Sequence, residues 1–249
     1  MSILPVDLIQ YYIFDKLDFV TQIRFRQICK QLNRIEIHNM YFYINNNYIK
    51  KLSDKILMVY PKIRYLDATN NNKITNVNHM TKLEILDVSG YYCSIDDNGI
   101  KDLNLIELYA GYNPKITNIN HMTNLKILNT SYDCGIDDNG ITNLNLIELY
   151  TNNNPKITNV NHMTNLQILY ASYTCGLDDN GIKHLNLIEL NAYGNPRITT
   201  VNHMTNLKVL IASGYNCGID DNGIKNLNLI RLYASENPKI NPKNKSRKC

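Results

Sequence analysis

The sequence predicts an α/β solenoid, with short parallel strands on its concave face and short helices or turns behind them. The first observation is a segment of 41 or 42 residues that repeats through most of the chain. Its hexapeptide Ile-Asp-Asp-Asn-Gly-Ile begins at Ile95 and returns at Ile136 and Ile219, with one change from Leu177. The second is that each long period splits into two coils of 20–22 residues. Such a coil cannot bury its own apolar face and stacks on its neighbours.

Each coil carries apolar residues at fixed offsets from its first residue, which is counted as offset zero. The coils begin at Ile63, Leu83, Leu105, Leu125, Leu146, Leu166, Leu187, Leu207 and Leu229. The odd-numbered coils follow L-x-x-L-x-L-x-x-N-x-x-I, the pattern of leucine-rich repeats. The even-numbered coils are similar to the cysteine-type leucine-rich repeat, in which an ITDxGL-like turn leads into a short helix. We therefore identify a leucine-rich-repeat array of about nine coils over residues 63–241.

The repeated residues predict a layered core. Offsets zero, three and five point inward from a short strand, and later Ile, Val, Met and Leu residues close the layer. An amide at offset eight of the odd coils can both donate to and accept from the backbone at a tight bend. The odd coils place Asn71, Asn113, Asn154, Asn195 and Asn237 there. The even coils carry Tyr91, Asp133, Thr174 and Tyr215, so this asparagine ladder is interrupted at every second coil.

The outward strand positions form the candidate binding surface. Side chains alternate along a strand, so offsets two, four and six are expected to face away from the core. These offsets are rich in Tyr, Asn and Ser, which is typical of binding surfaces because Tyr gives large contact area at low entropic cost. Strand propensity alone also favours exposed Tyr, and this alternative stays open. The candidate target-binding residues on the concave face are Tyr109, Asn129, Tyr150, Tyr170, Asn191, Tyr193 and Tyr233.

Three repeated polar ladders are interpreted as structural. The histidines His79, His121, His162 and His203 recur every second coil, so equivalent rings are expected to be roughly 10 Å apart. Zinc needs each donor atom about 2 Å from the ion, so no two of these histidines could share one. The cysteines Cys93, Cys134, Cys175 and Cys217 are likewise too far apart for disulfides and are predicted to be free thiols in the core. The second Asp of each Asp-Asp-Asn-Gly turn is predicted to cap a helix rather than bind calcium. No metal or cofactor is expected.

Charge and motif content exclude other classes of function. No phosphate loop, nucleophile elbow or other catalytic constellation is present, so the chain is not expected to be an enzyme. The 26 basic and 22 acidic residues give a net charge of +4, and the tail 242–249 alone holds four basic residues without an acid. Residues 1–241 are therefore balanced, which argues against nucleic acid. No apolar run reaches the ~20 residues of a membrane span. The basic tail is predicted to be disordered.

The first 40 residues form a different kind of structure. All four Phe lie within the first 42 residues, and none of the 11 Gly precedes Gly90. The apolar residues Leu8, Ile9, Ile13, Phe14 and Leu17 have helical spacing. Two or three short helices are predicted here. Residues 41–62 are interpreted as a linker or divergent first coil, with a short helix near 52–58.

The opening segment resembles an F-box. The family's pattern is matched by Leu4-Pro5-Val6-Asp7-Leu8-Ile9, Ile13-Phe14, Leu17-Asp18 and Ile28-Cys29-Lys30-Gln31-Leu32. Gln22 stands where Leu is usual, and Leu32 replaces the common Trp. The resemblance implies that this segment docks on the Skp adaptor of cullin–RING ubiquitin ligases. Its adaptor-facing residues would be Leu4, Pro5, Leu8, Ile9, Ile13, Phe14 and Leu17. The alternative is a helical cap that covers the open end of the array.

Together these features indicate a substrate-recognition subunit of a ubiquitin ligase, whose repeats hold the target protein. The competing interpretation is a leucine-rich-repeat scaffold that binds a partner and recruits no ligase. The chain contains 39 Asn residues and is also rich in Ile, Lys and Tyr. In this it looks like the Asn-rich F-box and leucine-rich-repeat proteins of giant DNA viruses. The resemblance implies a protein of the cytoplasm, and of the host cell's cytoplasm if it is viral.

Overall fold

The computed structural model describes residues 21–22, 24, 39–40 and 50–241, and the chain divides into two units, Met1–Leu108 and Tyr109–Cys249. Most of the F-box-like segment lies outside the described residues, including all seven predicted adaptor-facing residues, and so does the basic tail. Thr21, Gln22 and Arg24 have helical backbone. No helix among the described residues combines the length and the apolar character that crossing a membrane requires.

The described part of the first unit consists of short parallel strands joined by turns. Its elements are β1 (Asn39–Met40), α1 (Asp54–Leu57), β2 (Tyr65–Asp67), β3 (Ile85–Asp87) and α2 (Asp97–Ile100). The strands β1, β2 and β3 pair in parallel in chain order, and Leu66 lies opposite Leu86. The helix predicted near 52–58 is present as α1. The strand β4 (Glu107–Tyr109) contains the division between the units.

The second unit repeats the same architecture. Its elements are β5 (Ile127–Asn129), a 3₁₀ turn (Asn139–Ile141), β6 (Glu148–Tyr150), β7 (Ile168–Tyr170), β8 (Glu189–Asn191), β9 (Val209–Ile211), α3 (Asp221–Ile224) and β10 (Arg231–Tyr233). The strands β5 to β10 pair in parallel in chain order. One strand begins each predicted coil from β2 to β10. The described chain is therefore a parallel-strand repeat solenoid of about eight turns with few helices.

The predicted layered core is confirmed. In the coil that begins at Leu146, the residues at offsets zero, three and five are Leu146, Leu149 and Thr151, and all are fully buried. Ile157 and Met163 close the same layer and are also fully buried. Burying one such aliphatic side chain stabilises the fold by roughly 2 kcal/mol. Because the layers recur at a fixed period, strand pairing and core packing specify the same register.

The asparagine ladder is confirmed as a set of backbone hydrogen bonds. Asn154 Nδ2 donates to the carbonyl of Thr130 at 2.8 Å, and its Oδ1 accepts from the Lys156 N–H at 2.9 Å. Asn71, Asn195 and Asn237 make corresponding bonds, and all five ladder asparagines are fully buried. The even-coil residues at the same offset are exposed. Asn154, Asn195 and Asn237 therefore join their own turns to the preceding coil.

The prediction for the Asp-Asp-Asn-Gly turns is wrong in its choice of carboxylate. The first Asp caps the turn, as when Asp178 Oδ1 accepts the Gly181 N–H at 2.9 Å. The second Asp reaches the next turn instead: Asp179 Oδ1 accepts the Thr199 N–H at 2.7 Å, and its Oδ2 accepts the Thr199 hydroxyl. In α2 the second Asp is already the first helical residue, so its side chain cannot act as the N-cap. The Asp137–Asp138 and Asp178–Asp179 pairs thus combine a local cap with a link between coils.

The histidine and cysteine ladders have the predicted structural roles where the contacts are resolved. His162 Nε2 donates to the Ile141 carbonyl at 3.1 Å, and His203 Nε2 donates to the Ile182 carbonyl at 3.1 Å. The four array cysteines are free and fully buried. Burial raises the pKa of Cys134 and of Cys175 to about 11. These thiols are packed as core residues and remain protonated at neutral pH.

Candidate protein-binding surface

In each strand from β2 to β9, the central residue is buried and the residues on either side of it are half-buried. The half-buried residues point away from the core and form an open sheet face. In the second unit this face consists of the outward side chains of β5 to β10. The predicted site residues Asn129, Tyr150, Tyr170 and Asn191 lie there and are half-buried, and Tyr233 is more exposed at 49%. Tyr109 occupies the equivalent position at the end of β4, and Tyr193 lies two residues after β8.

Two tyrosines at the centre of the open sheet face are held in place by carboxylates. The Tyr150 hydroxyl donates to Glu148 Oε2 at 3.0 Å, and the Tyr170 hydroxyl donates to Glu189 Oε1 at 2.8 Å. Their ring centroids are 4.8 Å apart. Partial burial, followed by these carboxylates, raises the pKa of each phenol to about 12. The two rings are therefore oriented before any partner binds, which lowers the entropy cost of contact.

A polar cluster continues the surface beyond the strand ends. Asn191 Oδ1 accepts from the Ser172 hydroxyl at 3.0 Å and from the Tyr193 N–H at 3.0 Å. Asn152 Oδ1 accepts from the Ser172 N–H at 3.0 Å. The bonds cross from β6 through β8, so they fix neighbouring coils relative to one another.

All nine residues at offset six were predicted to be exposed on the outward face, but four of them are buried. The residues Gly111, Ser131, Ser172 and Ser213 occupy this offset and are buried. Neighbouring polar side chains cover Ser172, whose hydroxyl donates to Asn191 and whose N–H donates to Asn152. The third outward row of the second unit is therefore limited to Asn152, Tyr193 and Ser235.

The open face of the first unit is acidic rather than aromatic. Asp67 and Asp87 lie directly opposite each other on β2 and β3. Burial, followed by Asp67 and Asp87, raises the pKa of Tyr65 to about 12. Burial also raises the pKa of Asp67, although hydrogen bonds from Thr69 oppose the shift. This surface would favour a partner that brings positive charge.

Sequence reasoning missed a row of exposed residues at the turns that follow the strands. In the second unit, the residues Lys156, Tyr173, Arg197, Tyr215 and Lys239 occupy this row, which we call the turn edge, and all are exposed. Tyr173 and Tyr193 have ring centroids 5.1 Å apart. A second pair, Tyr112 and Tyr132, is stacked at 4.0 Å with an interplanar angle of 11°. The turn edge therefore presents aromatic rings interleaved with cations.

The turns share an uncommon backbone conformation at offset seven. Every coil has a positive φ there, at Asn70, Gly90, Tyr112, Tyr132, Asn153, Tyr173, Gly194, Gly214 and Glu236. A left-handed conformation costs a non-glycine residue roughly 1–2 kcal/mol. Three of the nine residues are nonetheless tyrosines, and their rings are exposed. The fixed offset is the signal that could have located this turn in the sequence.

Metal-binding geometry is not found in the described part of the chain. No group of three or more His, Cys, Asp or Glu residues is clustered there closely enough to hold an ion. The polar ladders instead bond to the backbone, as His162 and Asn154 do. The prediction that the chain is not an enzyme stays a prediction. No known protein-family model matches the chain, and neither does any curated protein.

Proposed function

We propose that this protein is the substrate-recognition subunit of a cullin–RING ubiquitin ligase. In this proposal the F-box-like segment docks on a Skp-type adaptor and the solenoid binds the protein to be ubiquitinated. The protein acts in the cytoplasm, and in the host cytoplasm if it is viral. The observation that carries the binding half of the proposal is the open sheet face of the second unit, where Tyr150 and Tyr170 are fixed by hydrogen bonds.

The open sheet face has the chemistry of a protein-binding surface. Flat tyrosine rings supply contact area with only two rotatable side-chain angles, and Asn191 and Asn152 supply adaptable hydrogen bonds beside them. Ile168 and Val209 add apolar area between the polar residues. A surface composed in this way is suited to another folded protein because it offers area and hydrogen bonds together.

Two features near the start of the chain support the adaptor half of the proposal. Gln22 is helical and fully buried, and it stands at a position where the F-box pattern has Leu. A buried side chain is what that pattern implies at this position. The strand β1 follows closely and pairs with β2 of the array. Residues 39–40, at the end of the F-box-like segment, are therefore already part of the sheet.

The adaptor half is tested by a pull-down of the full-length protein with purified Skp adaptor. We expect the native chain to bind, and the Leu4→Asp and Phe14→Ala variants to lose at least tenfold in affinity, because each removes apolar contact with the adaptor. The matched control is Tyr150→Ala, which should bind the adaptor normally. Circular dichroism checks that each variant remains folded. Absence of binding by the folded native chain would favour the scaffold that recruits no ligase.

The target half is tested by a double substitution on the open sheet face. We expect Tyr150→Ala together with Tyr170→Ala to reduce target capture at least tenfold, since truncating a tyrosine at a binding hot spot costs about 2 kcal/mol or more. Thermal stability should fall little, because both rings are only half-buried. Captured proteins are quantified by mass spectrometry against the exposed double variant Asn165→Ala and Gln167→Ala. Equal recovery of captured proteins with both double variants would show that the target binds elsewhere than on this face.

A further inference from the structure

We propose that the turn edge of the second unit binds an acidic segment of the target protein, in the polyproline II conformation, with a carboxylate at every third residue. This inference rests on the proposed function, because it names the kind of segment that the receptor would hold. It assigns a second surface, separate from the open sheet face. A row of exposed cations, the spacing of these cations and a cleft lined with aromatic rings support it.

The cations of the turn edge recur at offset ten of alternate coils. Lys156, Arg197 and Lys239 are all exposed. Lys156 Nζ donates to the Cys134 carbonyl at 3.0 Å, and Arg197 donates from its guanidinium to the Gly176 carbonyl at 3.2 Å. Lys239 lines the same surface cleft as Arg197. Lys156 and Arg197 therefore lean towards the coil before them, which preserves their spacing.

These hydrogen bonds hold Lys156 and Arg197 in position without neutralising their charge. The acceptors are neutral carbonyl groups, and neither Lys156 nor Arg197 nor Lys239 forms an ion pair with any described carboxylate. Two acids, Asp133 and Glu236, lie on the same series of turns. The same series of turns also carries Lys115 and the three cations named above. Four positive and two negative charges leave an excess of two, which favours an anionic occupant.

The turn edge and the open sheet face differ in the sign of their charged residues. The outward residues of β6 and β8 include Glu148 and Glu189, so the open sheet face carries carboxylates in the same coils. The net charge of the whole sequence does not show that positive and negative side chains lie on different faces. An acidic segment would be attracted to the turn edge and repelled by the carboxylates of the open sheet face.

An open cleft lies between two of the exposed tyrosines. Its volume is about 720 Å³, and its lining includes Tyr173, Thr174, Pro196, Arg197, Tyr215 and Lys239. The lining contains two cations and no carboxylate. Tyr173 is 48% exposed and Tyr215 is 73% exposed, so both rings are available for contact. Grooves lined with aromatic rings bind proline-rich segments because such segments are already extended and lose little entropy.

The spacing of the cations selects the conformation of the bound segment. Equivalent residues two coils apart are separated by about 10 Å, since neighbouring strands lie about 4.8 Å apart. A polyproline II helix advances about 9.3 Å in three residues, and those residues return to the same side. In a β-strand, residues three apart point to opposite faces. Adjacent phosphates of a nucleic acid strand lie much closer than these cations, so most phosphates would have no partner.

The test measures binding of fluorescent synthetic peptides to the full-length protein by fluorescence anisotropy. One probe contains four Glu-Pro-Pro repeats, long enough to span the three cations, and the comparison probe contains four Gln-Pro-Pro repeats. We expect the Glu probe to bind at least tenfold more tightly at low ionic strength, with the preference reduced by added salt. The double variant Arg197→Gln and Lys239→Gln should weaken binding of the Glu probe about fivefold or more.

The matched control removes the same charge from the opposite ends of the strands. Lys126→Gln and Lys208→Gln alter two exposed lysines just before β5 and β9, and should leave binding nearly unchanged. Tyr173→Asn with Tyr215→Ala should also weaken binding, and Asn tolerates the positive φ at position 173. If Lys126→Gln with Lys208→Gln lost as much affinity for the Glu probe as Arg197→Gln with Lys239→Gln, the attraction would be nonspecific and the proposal would be overturned.

Other probes decide between the remaining occupants. Equal affinity for the Glu and Gln probes, or tighter binding of an oligothymidylate than of the Glu probe, would overturn the acidic-segment proposal. Tighter binding of a helical peptide with Glu at every seventh position would overturn the polyproline II conformation. The assay contains no adaptor, so its failure is distinguishable from failure of the ligase proposal. A protein that binds the adaptor but no Glu probe would retain its proposed function and lose only this site.

Discussion

Replacing Asn154 with Ala is expected to lower the free energy of unfolding by about 3 kcal/mol, because it leaves buried backbone groups without hydrogen bonds. The side-chain Nδ2 donates to the carbonyls of Thr130 (2.8 Å) and Ile136 (3.3 Å). Its Oδ1 accepts from the Lys156 N–H at 2.9 Å. Asn154 is fully buried, so water cannot replace these bonds without rearrangement. Urea unfolding followed by circular dichroism measures the loss.

A second substitution separates hydrogen bonding from cavity formation. Asn154→Asp keeps the side-chain volume and the acceptor for Lys156, but it removes the two N–H donors. At neutral pH we expect a loss at least as large as that for Ala, since an acceptor would then face two carbonyl oxygens in a buried site. The control is Asn165→Ala, which changes an exposed side chain and should shift stability by less than about 0.5 kcal/mol. Equal losses in Asn154→Ala and Asn165→Ala would contradict a stabilising role for the ladder.

The strands and core were predictable because one pattern determines both. Offsets zero, three and five recur in every coil, and only stacked parallel strands bury all of them together. The ladder followed from the same register, because Asn at offset eight coincides with a bend that has unpaired backbone groups. Asn154 and Asn195 confirm that reasoning through their bonds to earlier coils. The sequence pattern therefore contained the information on which residues lie inside.

The roles of the two Asp residues in each turn were not predictable in the same way. Asp178 and Asp179 are adjacent and chemically identical, so residue type does not distinguish the N-cap from the link between coils. The difference lies in backbone geometry: in α2 the capping Asp96 is extended, with φ −119°. The second carboxylate of a pair faces the next coil, as Asp179 does when it accepts the N–H groups of Thr199 and Thr200. This assignment depends on the stacking of coils, which no single turn encodes.

The candidate surface was predictable only in part. Tyr150 and Tyr170 were placed outward by strand alternation, and both lie on the open sheet face. Ser172 was placed outward by the same rule and is buried, because it packs against Asn152 and Asn191, to which it donates hydrogen bonds. The turn edge combines residues that are about 41 positions apart, such as Lys156 and Arg197. A count of charges over the whole chain does not show that they share one side of the strands.

Gly181→Ala is expected to lower the free energy of unfolding by about 2–3 kcal/mol, because the new methyl group has no space. A Cβ at this position would collide with the carbonyl oxygen of Thr158, which is a backbone atom and cannot rotate away. Thr158 is itself held by Asp138, which accepts its N–H at 2.8 Å. Thermal and urea unfolding of the purified variant measure the effect. A stability equal to that of the native protein would show that the coils can separate here at little cost.

Steric overlap should outweigh the usual benefit of replacing glycine with alanine. Ala gains about 1 kcal/mol over Gly in a helical conformation, which is smaller than the cost of moving two coils apart. Gly181 cannot shift freely, since its N–H donates to Asp178 at 2.9 Å and its carbonyl accepts the Val160 N–H at 3.0 Å. The matched control is Gly111→Ala, whose Cβ would meet the Ser131 carbonyl oxygen at 3.5 Å, an ordinary contact. We expect that variant to change stability by less than about 0.5 kcal/mol, and a large loss there would mean that glycine is required for a reason other than close packing.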